Sequence, residues 1–273
     1  MKSKVGIGIT TYLDTASHEF GEAVFNCYSN VSSKIEPNKV AVWGWKHDVT
    51  NSKEFGSRWA TPRVTEWRER SKKGRLIDKK EALIGADWRR TGSLSGIGSV
   101  TLRPPLDTSS ANEILIEHNY SSRIDWRSLF IGLVDLCQPS YAMLHLFTDT
   151  ERQLSIGRKR FEIFDRPFAG EDYFTNWQAS SGDWRRPDKW QSSERRNYRF
   201  LPQLSWGNFL GKEFKNCYSA DAIKYGASRT TEIANGLAFE VTSDLIDVEK
   251  RYKEFDEVRA KLKLAFTDEC FRM

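Results

Sequence analysis

No stretch of the 273-residue sequence keeps the roughly 18 consecutive apolar residues that a helix needs to cross a bilayer, so no membrane span is expected. The start, Met1-Lys2-Ser3-Lys4-Val5-Gly6-Ile7-Gly8-Ile9, lacks a long apolar run followed by a small-residue cleavage site, and a secretory leader is not expected. Cysteine is scarce: Cys27, Cys137, Cys217 and Cys270 stand far apart with no Cys-x-x-Cys pair, which argues against a zinc knuckle and a disulfide-dense secreted scaffold. A reducing cytoplasm is the expected location. His18, His47, His118 and His145 show neither His-x-x-x-His nor His-Glu-x-x-His spacing, so no resident metal is expected. His118 and His145 fall inside predicted strands and read as core or pleat histidines. There is no P-loop and no Gly-x-Ser-x-Gly elbow; Gly6-Ile7-Gly8 lacks the third glycine of a dinucleotide fingerprint and the helix directly after it. Cofactor chemistry and enzymatic turnover are not expected.

What is present is the composition of a folded chain, 39% hydrophobic and 29% charged, with ten Trp, nine Tyr and sixteen Phe. The net charge of +5 is unevenly distributed. Residues 58–90 carry +6 and 152–199 carry +4, whereas 91–151 carry −4. The two basic segments are also those with the poorest hydrophobic periodicity, and 51–95 and 150–200 read as long connections.

Periodicity predicts an α+β fold, with mixed or antiparallel sheets, flanking helices and two related strand-helix-strand modules. The first runs from the strand Lys4 to Tyr12 through a helix with Phe20, Val24, Cys27, Tyr28 and Val31 at helical spacing and Ser17 as N-cap. It ends in the strand Lys39 to Trp45. The second has strands at Val100–Leu102 and Glu113–Tyr120, a helix capped by Asp125, and a strand from Tyr141 to Phe147. A last strand, Gly236 to Thr242, precedes a helix opened by Asp247, with Val248, Tyr252, Phe255, Val258 and Leu262 on one face and an exposed face of Glu, Lys and Arg. The expected division is an N-terminal α+β module with a Trp/Arg-rich connection over 1–95 and a second α+β domain over 96–273.

Two chemistries deserve comparison. A metal-dependent nuclease needs converging carboxylates and a lysine; Asp165, Glu171 and Asp172, or Glu240, are available, but their pattern reads as solvated charge. Trp59, Trp67 and Trp88 interleave with arginines and lysines, as do Trp177, Trp184 and Trp190 with Arg185, Arg186, Arg195, Arg196 and Arg199. Rings for bases beside cations for phosphates suit single-stranded nucleic acid, and the same residue types dominate protein interfaces. A protein partner is favoured because the net charge is small and no RNA-binding signature occurs.

The second half carries a resemblance. Arg195-Arg196-Asn197-Tyr198-Arg199-Phe200-Leu201-Pro202-Gln203-Leu204-Ser205-Trp206-Gly207-Asn208-Phe209-Leu210-Gly211 is similar to the Arg-rich, Pro-containing approach to a Trp-Asn-aromatic segment in the immunity protein 52 family and related type VI secretion immunity proteins. Ser228-Arg229-Thr230, then Gly236 to Asp244 and a terminal helix, resemble that family's Arg-Thr, glycine, strand and Thr-Asp order. Upstream, Glu113 to Tyr120 with Asp125-Trp126 and the next helix resemble its opening, so the likeness spans about 110–266. It implies a non-enzymatic cytoplasmic antidote in bacterial competition, binding one cognate secreted toxin, often a nuclease effector, through a protein–protein interface.

Trp206, Arg229 and Gly236 are expected to be structural motif residues, and the toxin contacts are expected at Asp183, Trp184, Arg185, Arg186 and Trp190. Inhibiting a nuclease calls for an acidic face, whereas the chain is basic overall; Asp107, Glu113, Glu117, Asp125, Asp135, Asp149 and Glu151 of the −4 segment offer a local acidic patch, and a toxin with an acidic or neutral surface stays open. The alternative function is nucleic-acid binding or processing by the Trp/Arg-rich loops.

Overall fold

The computed structural model describes residues 3–42, 45–61, 63–70, 76–82, 85–102, 111–151, 204–233, 236–267 and 270. In chain order the first elements are β1 (Lys4–Thr11), α1 (His18–Val31), β2 (Lys39–Val42), β3 (Trp45–Asp48), α2 (Ser52–Trp59), β4 (Arg63–Arg70), β5 (Leu76–Ala82), β6 (Gly85–Arg90) and β7 (Gly96–Thr101). They are followed by β8 (Asn112–Asn119), α3 (Trp126–Cys137), β9 (Tyr141–Phe147), β10 (Gly207–Leu210), a 3-10 turn (Lys212–Phe214) and α4 (Ala220–Gly226). The last are β11 (Arg229–Ile233), β12 (Gly236–Glu240), α5 (Asp247–Lys250) and α6 (Tyr252–Lys263).

Ten strands form one sheet in the order β11-β12-β10-β9-β1-β8-β7-β6-β2-β3, and every pairing is antiparallel. β4 and β5 form a separate hairpin. At the centre Ile7 stands opposite Ile116 on one side and Leu144 on the other. The fold is therefore α+β, as its hydrophobic patterning predicts. The sheet draws strands from both halves of the chain: β8 and β9 flank β1, while β8, β7 and β6 separate β1 from β2.

One face is covered by α1, α2 and α3. Ser17 caps α1 by accepting from the Phe20 N–H at 3.1 Å, and Phe20, Val24, Phe25 and Tyr28 turn inward. Helices α1 and α2 touch so closely that a Cβ on Gly21 would lie 2.6 Å from that of Trp59, and one on Gly56 would lie 2.4 Å from the His18 carbonyl oxygen. Trp59 and Trp88 are buried there with Phe55, and the Trp88 indole donates to the Tyr28 hydroxyl at 3.1 Å. Asp125 caps α3, accepting from the Ser128 N–H at 2.9 Å, and Gln138, in the left-handed conformation, ends it before Pro139.

The opposite face is covered by the C-terminal helices over β9 to β12, where Phe255 meets His145 and Phe266 meets Phe239. Strand β9 is consequently buried along its whole length, while β6 and β7 alternate and leave Asp87, Arg89, Ile97 and Thr101 exposed. This is the burial difference expected between a strand covered on both faces and one covered on a single face.

Three expectations are corrected. The strand read over Lys39 to Trp45 is a hairpin, with Val42 paired to Trp45. The stretch 51–95, read as a long connection, contains α2, β4, β5 and β6; the apolar faces of α2 and β6 are short and interrupted by charge, which hides their periods. The helix opened by Asp247 breaks at Arg251, whose guanidinium bonds back to the Asp247 carboxylate at 2.7 and 3.0 Å, and a separate helix follows.

Candidate functional site

A buried polar cluster joins β9, the entry to β10 and α6. His145 points from β9 towards α6 with 2% of its surface exposed. The Trp206 backbone N–H donates to its Nδ1 at 3.1 Å. An accepting Nδ1 carries no proton, so Nε2 bears it and donates to Glu151 Oε2 at 2.7 Å. The other Glu151 oxygen accepts from Arg259 Nη1 at 3.0 Å. Arg259 also bonds Asp256 Oδ1 at 2.6 Å and the Tyr252 hydroxyl at 3.3 Å, and its guanidinium lies 4.9 Å from the Phe255 ring centre.

Burial alone would raise the Glu151 carboxyl, but His145 and Arg259 outweigh it and hold the group down at about 2. Burial likewise opposes the charge on Arg259, and Glu151, Tyr252 and Asp256 together outweigh it, keeping the guanidinium firmly charged. Each charge is thus matched by a partner, as a buried ion must be.

The cluster's place in the chain gives it a role. The connection from β9 to β10 leaves at Glu151 and returns at Leu204. Both ends are tied to one imidazole, the outgoing end by its carboxylate and the returning end by its backbone. Asn208 secures the return further, accepting from the Ser205 N–H and donating to the Ser205 carbonyl, each at 2.8 Å.

The matched motif residues can be placed individually. Trp206 is buried, its indole donates to Thr242 Oγ1 at 3.1 Å, and its carbonyl accepts from the Val241 N–H at 2.8 Å. A Cβ on Gly236 would lie 2.3 Å from the Leu210 carbonyl oxygen and 2.5 Å from the Phe209 ring. Arg229 opens β11 at the exposed margin, with Nε 4.0 Å from Glu240 Oε2. Arg127 of α3 pairs with the other Glu240 oxygen and donates to Thr231 Oγ1 at 3.3 Å. Glu240, considered above as a metal carboxylate, is therefore committed to arginines.

Asp183, Trp184, Arg185, Arg186 and Trp190 lie outside the described residues, as do Asp165, Glu171, Asp172 and Trp177. Within the basic segment 58–90, Trp59 and Trp88 are core rings and are not available to stack on bases. Of the acidic segment, Glu151 is buried against His145 and Arg259 and Glu117 is buried and pairs with Lys4 at 2.5 Å, whereas Asp125 and Asp135 are exposed, Glu113 and Asp149 are half-buried, and Asp107 lies outside the described residues. His118 is a core histidine, ringed by Tyr28 and Trp126, and burial pushes its imidazole down to about 4.

A cavity of about 250 Å³ lies at the far end of β9 from the His145 cluster, between Tyr12, Leu13, Pro139, Phe209 and Lys212. Among the described residues no three His, Cys, Asp or Glu side chains converge as a metal site, and no helix is long and apolar enough to cross a membrane.

Sequence reasoning missed Arg259, which reads as one more exposed charge on an amphipathic helix. The signal is its position: Tyr252, Phe255, Arg259 and Leu262 recur at intervals of three and four, which puts Arg259 on the buried stripe. No family model matches this chain, and no curated protein matches it.

Proposed function

We propose that the protein is a non-enzymatic antidote that binds and neutralises one cognate secreted toxin of the type VI or polymorphic class, in the cytoplasm of the cell that makes it. The order of motifs from Glu113 to Asp244, which resembles that of the immunity protein 52 family, supports the reading. The observation that carries it is the double attachment of His145. A buried, fully paired cluster fixes both ends of the 152–203 connection, and that connection contains Asp183, Trp184, Arg185, Arg186 and Trp190, the proposed toxin contacts. A binding segment whose ends are fixed loses less freedom on association.

Nucleic-acid binding is the weaker reading, because two of the three tryptophans in the first basic segment are core. Salt separates the two. An oligonucleotide gripped through phosphates loses affinity with log salt at a slope of about −0.7 per phosphate neutralised. The expected result is weak oligonucleotide binding at physiological salt and a tight complex with the toxin encoded beside this chain. A salt-resistant submicromolar oligonucleotide complex, with no toxin complex, would reverse the ranking.

A further inference from the structure

Cys217 and Cys270 lie 53 positions apart in sequence and meet at the C-terminal end of the fold. An isolated antiparallel bridge between Tyr218 and Phe266 brings their stretches together, with the Ser219 N–H donating to the Ala265 carbonyl at 2.8 Å and the Thr267 N–H to the Cys217 carbonyl at 2.9 Å. The chain then turns back, the Cys270 N–H donating to the Thr267 carbonyl at 2.9 Å. This places the Cys270 thiol 3.1 Å from the Cys217 carbonyl oxygen, so that the two residues pack together. Both thiols are free and buried.

We propose that Cys217 and Cys270 form a redox modification site, which hydrogen peroxide closes to an intramolecular disulfide and a dithiol reopens. A thiol already seated 3.1 Å from the other cysteine's carbonyl, on chain stretches pinned by an antiparallel bridge, needs little backbone movement to reach disulfide geometry. Cys217, with 5% of its surface exposed against none for Cys270, meets the oxidant first. Its sulfur attacks one peroxide oxygen, the O–O bond breaks, and one water leaves as the sulfenic acid forms. The Cys270 sulfur then attacks the Cys217 sulfur, the S–S bond forms, and the sulfenic oxygen leaves as the second water. Two thiols lose two electrons and two protons, and one peroxide becomes two waters. Burial raises the Cys270 thiol to about 12, so its thiolate is scarce and this second step is slow.

The bond would enclose α4, β11, β12, α5 and α6, the whole layer that covers the second face of β9 to β12. Closing so long a loop restricts the unfolded chain and stabilises that layer. A reversible pair of this kind suits a reducing cytoplasm, where disulfides are transient and redox-sensing.

The test uses the full chain with Cys27→Ser, which removes the most exposed thiol. Folded protein is exposed to hydrogen peroxide, digested without reductant, and read by peptide mass. The expected product is a linked pair of peptides containing Cys217 and Cys270, two hydrogens lighter than the separate thiols and released by dithiothreitol, with Tm raised by several degrees before reduction. A further Cys270→Ser change should leave Cys217 as a sulfenic acid that dimedone traps. A link that forms only in denaturant, or peroxide driving Cys217 to sulfinic acid with no link, would overturn the proposal.

Discussion

Glu151 is where sequence, burial and charge bear most heavily on one side chain. Replacing it with Ala takes one of two carboxylates from Arg259, which keeps Asp256 at 2.6 Å, and leaves His145 without its acceptor, so the cost falls below the about 3–5 kcal/mol of a fully broken buried pair. Chemical denaturation of Glu151→Ala should show that smaller loss. The same residue has a pH signature. Its folded carboxyl lies below the ordinary 4.5, so it contributes stability that is complete above 4.5 and is lost as pH falls towards about 2. His118 acts in a higher window. With its folded value down at about 4 against an ordinary 6.5, it is neutral in the core, and protonation of the unfolded chain removes stability as pH falls from 6.5 to about 4. Denaturation curves between pH 7 and 2 should therefore fall in two stages. Glu151→Gln should flatten the lower stage and His118→Leu the upper; an unchanged profile in both variants would contradict the assignment.

Among the secondary-structure elements, α3 offers the cleanest perturbation, because Asp125 accepts both the Ser128 N–H at 2.9 Å and the Ser128 hydroxyl at 2.6 Å. Asp125→Ala should cost about 1 kcal/mol, read as a lowered Tm with the fold retained. That cap, like Ser17, is legible in sequence because capping is local chemistry. The helices α1 and α3 and the strands β1, β8, β9 and β12 are legible for the same reason, each long enough to show its own period. β10 is not, since four residues cannot establish an alternation, and its place is fixed by pairing to β9 and β12. Trp59 and Trp88 mislead because arginines stand beside them in sequence; α2 and β6 turn the rings inward and leave Arg58 and Arg89 in solvent. Arg259 misleads in the opposite sense, being a charge whose partner lies 108 positions away. Of the candidate site, the structural roles of Trp206 and Gly236 are legible as motif residues next to apolar segments, whereas the cluster fixing the connection needs three distant pieces of chain brought together.

For the whole molecule, the account separates a scaffold from the segment it carries. The ten-stranded sheet and its two helical layers bury Trp206 and leave Arg229 at the margin, and the proposed toxin contacts belong to the 152–203 connection. Trp184→Ala with Trp190→Ala should weaken the toxin complex tenfold or more, about 1.4 kcal/mol, and leave Tm nearly unchanged. A fall in Tm with unchanged affinity would mean that the two rings are packing residues. Basic as the chain is at +5, its complex should also depend on salt less steeply than a nucleic-acid complex, because few phosphates are neutralised. Protection by binding is tested by the growth of cells expressing the product of the gene upstream of this chain's, with and without the chain itself. The account predicts that the wild-type protein restores growth and that Trp184→Ala with Trp190→Ala restores it less, in step with lost affinity. Failure of the wild-type protein to protect, together with hydrolysis of nucleic acid, peptide or lipid by the purified protein alone, would contradict it.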